Sequence, residues 1–319
     1  MKVLWLLPER PAGAPSGGDL YDALVIAGLR KRGHRVEVSA TLPSRVRADV
    51  VVQDALGFAR FLPFNRALER EGNSAWRVAL VHVTTARLRP ALRTASREAR
   101  YLASTHASVF VSAQAKRESL RLLGLRGLES AVISPGADRL PRRAAVKSKG
   151  PLRLICVGHL LPQKGQLELL AACSALGVTL VLAGDGTIDR AYTAKVVARL
   201  RELPNARWVG PLGPAALARA LAASDVFINA SQYESWGMAA AEAHFAALPV
   251  VSCSKGGLWE FLTPGVDSLR VRKLNGAAIA PLSDRALVRR LSDGARRAPK
   301  RTWALAAREF EAFLEGRPR

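Results

Sequence analysis

Acidic residues are scarce in this chain: 26 Asp and Glu stand against 48 Lys and Arg among 319 residues, a formal charge of +22 at neutral pH. Cysteine is scarcer still. Cys156, Cys173 and Cys253 sit at no metal-ligand spacing, so they read as small core hydrophobes in a reducing compartment. Aromatic residues make up only 6% of the chain, few for stacking on bases, and no nucleic-acid module is evident. No window offers about 18 uncharged apolar residues, so a membrane span is not expected. The opening run Met1 to Leu7 is too short for a signal h-region and stops at Pro8-Glu9-Arg10. A cytoplasmic protein is the expectation. G-x-G-x-x-G spacing is missing, which argues against a dinucleotide fingerprint, and there is no short internal repeat or low-complexity tract.

What is present is 49% hydrophobic residues, enough for two cores of ordinary size, and a charge excess that is uneven. Residues 1–150 carry 26 basic against 12 acidic residues, and residues 151–319 carry 22 against 14. Such an excess points to anionic partners, the plain alternative being solvated arginines. Short apolar runs alternate with helix-period segments, the pattern of parallel sheets covered by helices. Strands are expected at Val3–Leu7, Val36–Val38, Val50–Gln53, Val78–Val81, Val109–Val111 and Ala131–Ile133, with helices at Leu20–Lys31, Pro90–Leu102 and Ala115–Leu123. A segment of linker composition runs from Pro135 to Pro151. The alternation then restarts at Leu152–Val157 and continues through Pro249–Ser252, and Leu305–Leu314 forms a last amphipathic segment. The expected fold class is α/β with two Rossmann-like doubly wound domains, residues 1–143 and 151–300. Such units bind ligands at the carboxyl ends of their strands.

One segment carries particular chemistry. Glu234 and Glu242 lie eight residues apart in Glu234-Ser235-Trp236-Gly237-Met238-Ala239-Ala240-Ala241-Glu242, just before the apolar strand Leu248-Pro249-Val250-Val251. A turn leading into a helix would put Glu234 just before its N-terminus and Glu242 two turns further in, on the same side. Gly237 would let backbone approach a ligand, and the N–H groups of Met238 and Ala239 at the helix start favour phosphate. The alternative is a pair of acids stabilised by the helix dipole.

Ser16-Gly17-Gly18, Val157-Gly158-His159-Leu160-Leu161-Pro162-Gln163-Lys164-Gly165, Leu182-Ala183-Gly184-Asp185-Gly186 and the Glu234/Glu242 pair occur in an order that resembles retaining glycosyltransferases of family 4. The resemblance runs from the first strand to Trp303 and implies the GT-B fold, two Rossmann-like domains facing across a cleft, with a helix at 301–319 crossing back to the first. It implies a nucleotide-diphosphate sugar as co-substrate, with no cofactor. It further implies that Glu234 meets the donor sugar, Glu242 the ribose, and Lys164 the phosphates, with Gly17, Gly18, His159, Gly184, Gly237, Met238 and Ala239 completing the donor site. His82, directly after the strand at Val78–Val81, corresponds to a histidine near the transferred sugar and acceptor. On residue type alone Gly17-Gly18 also reads as a tight turn, Lys164 as a solvated lysine and His82 as a satisfied strand-end residue. His159 departs from the pattern, since the family commonly has arginine there. Histidine is shorter and makes no bidentate fork.

No D-x-D occurs, so a metal-held diphosphate is not expected. The resemblance also makes the chain short for its family in the first domain, an open acceptor side suited to a lipid-linked or polymeric glycan. Two features there fit an anionic membrane surface and a peripheral location at its inner face: Phe58-Ala59-Arg60-Phe61-Leu62-Pro63-Phe64-Asn65-Arg66, and Arg89, Arg93 and Arg97 at helical spacing. Core phenylalanines and solvated arginines are the competing account. A nucleotide-sugar-binding or nucleic-acid-binding protein that has lost catalysis stays open as a second function class, nucleic acid being disfavoured by the composition.

Overall fold

The computed structural model describes residues 1–9, 15–88, 92–141, 150–174 and 176–317. Arg89, residues 10–14 of the loop after the first strand and residues 142–149 of the expected linker lie outside them. Two compact units emerge: Met1–Ala12, Gly18–Pro135 and Thr302–Arg319 form the first, and Gly13–Gly17 with Gly136–Arg301 form the second.

The first unit is a six-stranded parallel sheet in the order β2-β1-β3-β4-β5-β6. Its strands are β1 (Lys2–Leu6), β2 (Arg35–Ser39), β3 (Val50–Asp54), β4 (Trp76–Val81), β5 (Ala107–Phe110) and β6 (Ser130–Val132). Every residue of β3, β4 and β5 is buried, as parallel strands covered on both faces must be. The helices are α1 (Gly17–Lys31), α2 (Phe58–Arg70), α3 (Thr85–Leu88), α4 (Leu92–Leu102) and α5 (Ala113–Leu123). Ser112 caps α5 at its start, and Gly124 ends it in the left-handed conformation.

The run from Phe58 to Arg66 is helical, within α2, and its Phe58 and Phe61 are core residues. That answers one of the two membrane-facing features: these phenylalanines pack with Leu62, Tyr101 and Leu102. Arg93 and Arg97 of α4 are exposed.

The second unit has its own six-stranded parallel sheet, in the order β14-β12-β10-β7-β8-β9. Its strands are β7 (Leu152–Val157), β8 (Val178–Ala183), β9 (Ala206–Trp208), β10 (Val226–Asn229), β12 (Val250–Ser252) and β14 (Ser268–Arg270), and β11 (Tyr233–Glu234) pairs separately with β13 (Lys255–Gly256). Helices α6 (Gln166–Cys173), α7 (Arg190–Arg201), α8 (Pro214–Ala222), α9 (Met238–Phe245), α10 (Gly276–Ile279) and α11 (Arg285–Arg297) complete it. Cys156 and Cys173 belong to its core, where burial pushes each thiol up to about 12, far from thiolate chemistry.

After α11 the chain returns to the first unit as α12 (Trp303–Glu315), started by a Thr302 cap on the Leu305 N–H. Its buried face carries Trp303, Ala306, Ala307, Phe310 and Leu314 at helical spacing. Phe310 stacks on Trp5 of β1 with centroids 5.3 Å apart, and Trp303 meets Tyr21 of α1 edge-on. Gly28 of α1 faces Ala307, where any Cβ would collide with that methyl. Phe310→Ala would remove a fully buried ring and should cost the first unit about 3–5 kcal/mol. Urea unfolding followed by tryptophan fluorescence measures it.

Candidate functional site

In the second unit, Lys164 and Glu234 are brought together. Lys164 ends a 3-10 turn, Pro162–Lys164, that leads through Gly165 into α6. Its Nζ lies 2.7 Å from Glu234 Oε1, which also accepts from Ser231 Oγ at 2.6 Å and Asn229 Nδ2 at 3.3 Å. Burial pushes the Glu234 carboxyl up, but the Lys164 charge and the three hydrogen bonds outweigh it and hold the group below its ordinary value. Glu234 is therefore a carboxylate at neutral pH.

Three residues on, Gly237 adopts φ +92°, and a Cβ there would strike Leu258 Cδ1, so the sharp entry into α9 requires glycine. Among the described residues no side chain caps α9, which leaves the N–H groups at Met238 and Ala239 as donors at the positive end of the helix.

Glu242, one turn inside α9, is 3% exposed. The Arg139 guanidinium grips both its oxygens, Nε to Oε1 and Nη2 to Oε2, the latter at 3.1 Å. Burial still pushes its carboxyl above the ordinary value, with Arg139 offsetting part of the rise. In this structure the residue that the resemblance gives to a ribose is engaged by an arginine.

Gly184, φ +147°, closes β8 against the loop after β7: a Cβ would overlap the Gly158 carbonyl oxygen. Its own carbonyl accepts the Trp208 indole N–H at 2.9 Å. His159 is half-buried in the same loop, and its backbone carbonyl accepts from Gln166 Nε2 at 2.8 Å.

Gly17 opens α1 after β1, and Gly18, in the first unit, stands against His82, where a Cβ would lie 3.0 Å from the ring. His82 Nε2 is 2.9 Å from Asp22 Oδ1, and both residues are buried. Sequence reasoning missed Asp22, Arg139, Ser231 and Asn229. Only Ser231, three residues before Glu234, carried a local signal. The others meet their partners across 60 residues or more, or through a loop whose path sequence does not reveal.

The residues present can meet a diphosphate with a lysine and free helix N–H groups, and a polyol with a fixed carboxylate. Residues 151–291 match the family model described as glycosyl transferases group 1. The chain is 32% identical over 197 residues to a glycogen synthase of Mycobacterium tuberculosis, covering 58% of this chain and 47% of that protein. It is 30% identical over 146 residues to a GDP-mannose-dependent alpha-mannosyltransferase of Corynebacterium glutamicum, 45% of this chain and 33% of the relative. The chain thus spans about half the length, or less, of the curated relatives it matches. Among solved structures, Anabaena HepE in complex with UDP and glucose superposes with TM-score 0.80 at 17% identity, covering 99% of this chain and all of that one. Sucrose-phosphate synthase from Thermosynechococcus elongatus gives 0.80 at 16% identity, covering 99% and 98%.

The fold is GT-B, an α/β architecture of two Rossmann-like units. Residues 151–291, the greater part of the second unit, are similar to the glycosyl transferases group 1 family.

Lys164→Met leaves the half-buried Glu234 without its counter-charge and should cost about 1–3 kcal/mol at pH 7, less than a fully enclosed pair because both side chains are partly exposed. Glu234, depressed in the native protein, stabilises it above the unfolded carboxylate pKa. The penalty of the variant should therefore shrink as pH falls from 7 towards about 4, where Glu234 takes up a proton more readily without Lys164. Paired denaturation curves at the two pH values read it.

Proposed function

We propose that this protein transfers a sugar from a nucleotide-diphosphate sugar to a hydroxyl acceptor, with retention of configuration. The observation that carries the reading is the Lys164–Glu234 pair beside the uncapped start of α9, inside the region similar to the glycosyl transferases group 1 family. Glu234 accepts hydrogen bonds from the donor sugar. Lys164 and the N–H groups at Met238 and Ala239 meet the diphosphate and stabilise the charge that grows on it as it leaves. Gly17, Gly18, Gly184 and Gly237 allow close backbone approach, and His159 borders the phosphates. Glu242 receives the ribose, which requires Arg139 to share or release its carboxylate. The acceptor hydroxyl attacks the face that the diphosphate leaves, and the leaving phosphate takes its proton, so catalysis is positioning plus electrostatics. His82 helps position the acceptor.

No cofactor is assigned, and no metal at the diphosphate, because the chain has no D-x-D to hold one. The exposed arginines of α4 and the net charge of +22 favour a lipid-linked or surface glycan acceptor, reached from the cytoplasmic side of an anionic membrane. Among the described residues no helix is long and apolar enough to cross a membrane, which suits peripheral attachment.

A thermal-shift screen against UDP-, GDP- and ADP-sugars should find a donor that raises the melting temperature. With that donor, Glu234→Gln and Glu242→Ala should each keep the fold and lose about 10²–10³ in transfer rate. A donor that binds but is neither transferred nor slowly hydrolysed would favour the non-catalytic binder.

A further inference from the structure

Three hydrogen-bond donors converge on one oxygen of Glu234. Lys164 Nζ, Ser231 Oγ and Asn229 Nδ2 all reach Oε1, at 2.7, 2.6 and 3.3 Å. A carboxylate oxygen offers about two lone-pair directions, so Oε1 is saturated. Oε2 takes no hydrogen bond among the described residues, and it is not sealed from water, the Glu234 side chain being 16% exposed. One oxygen is thus held by the protein and the other is on offer to a ligand.

The donors differ in what they supply. Lys164 brings charge on a flexible stem, from the turn after β7. Ser231 and Asn229 are neutral and buried, 3% and 7% exposed. Asn229 and Ser252 are facing residues at the ends of the paired strands β10 and β12. Ser252 Oγ accepts the Ser254 N–H at 3.0 Å and donates to Asn229 Oδ1 at 3.0 Å. With the hydroxyl proton committed to Oδ1, a flipped amide would set its oxygen against the carboxylate, so Nδ2 stays turned to Glu234. Buried groups that satisfy one another in this way hold a single arrangement.

We propose that Ser231 and Asn229, the latter fixed by Ser252, are positioning residues that hold Glu234 with Oε2 presented to a hydroxyl of the donor sugar. The inference rests on the donor reading above and adds a division of labour to it. Lys164 keeps the carboxylate charged, and the two neutral donors fix its direction. A group already aimed loses no further freedom when its ligand arrives, so the contact is stronger than one made by a mobile carboxylate. Ser252 makes no hydrogen bond to Glu234, so its contribution passes through Asn229.

Two measurements on the full-length protein test this. The first needs no ligand: with carboxyl-labelled glutamate, the carbon NMR signal that Glu234→Gln removes is followed against pH. Ser231→Ala and Asn229→Leu should each move its titration upward, because each removes a hydrogen bond to the charged form, and Ser231→Thr, which keeps the hydroxyl, should restore it. Ser252→Ala should shift it in the same direction, and no further when added to Asn229→Leu. The second measurement compares UDP-glucose, ADP-glucose and GDP-mannose with UDP, ADP and GDP by calorimetry. Ser231→Ala and Asn229→Leu should weaken the nucleotide sugar that binds by about tenfold and leave its bare diphosphate unchanged. A titration unmoved in both variants, or equal losses for the nucleotide sugar and its diphosphate, overturns the proposal. Additive shifts in the double variant overturn the part given to Ser252. Should Asn229→Leu fail to fold, the Ser231→Ala and Ser231→Thr pair decides. If no nucleotide sugar binds the wild type, the donor reading fails and the sugar contact with it, while the titration still decides whether Ser231 and Asn229 hold the carboxylate.

Discussion

The second unit's candidate site depends on one half-buried carboxylate being kept charged. Glu234 has its Oε1 held by Lys164 from the turn after β7 and by Asn229 and Ser231 from the end of β10. These bonds tie together segments that lie 70 residues apart in sequence, and they do so immediately before the glycine that starts α9. Without the lysine, burial would drive the carboxyl towards its neutral form, and the site would lose its fixed acceptor. The same arrangement sets a positive helix end beside a negative side chain, the charge pattern on which the proposed donor contacts rest.

The scarcity of acidic residues takes on a sharper meaning in three dimensions. Several of the 26 are buried, among them Asp22, Asp54, Glu98, Asp185, Glu242 and Asp267, while among the described residues the buried basic side chain is Arg77. Each buried acid has a defined use. Glu98 accepts the N–H groups of Thr85 and Ala86 and so organises the start of α3, and Asp267 pairs with His244 and accepts the Thr263 N–H. Glu242 is clasped by Arg139. With those negative charges inside, the water-facing surface is more positive than the count of residues suggests, which strengthens long-range attraction for anionic ligands.

The strand and helix pattern was largely legible because parallel strands buried on both faces read as apolar runs and their covering helices as periodic ones. Helix α2 was the main exception. Its phenylalanines alternate with arginines and enclose Pro63, so local composition pointed to a surface, whereas packing against Tyr101 and Leu102 places Phe58 and Phe61 in the core. Lys164, Glu234 and Gly237 stood out as a motif because glycine at a strained turn and charges beside apolar strands are rare combinations. Their mutual contact was not visible, nor was the clasp on Glu242, since Arg139 sits in a stretch whose prolines and glycine read simply as a connector.

Two α/β units, the strands that build them and the residue types on offer to phosphate and sugar could be read from the chain before folding, because periodicity and residue chemistry are local properties. Tertiary structure alone decided which charges neutralise which. Lys164 meets Glu234, Arg139 meets Glu242 and Asp22 meets His82 through loops and helix orientations that bring distant segments together. The protonation state of a buried group depends on its partners and its desolvation, and both exist only once the chain is folded.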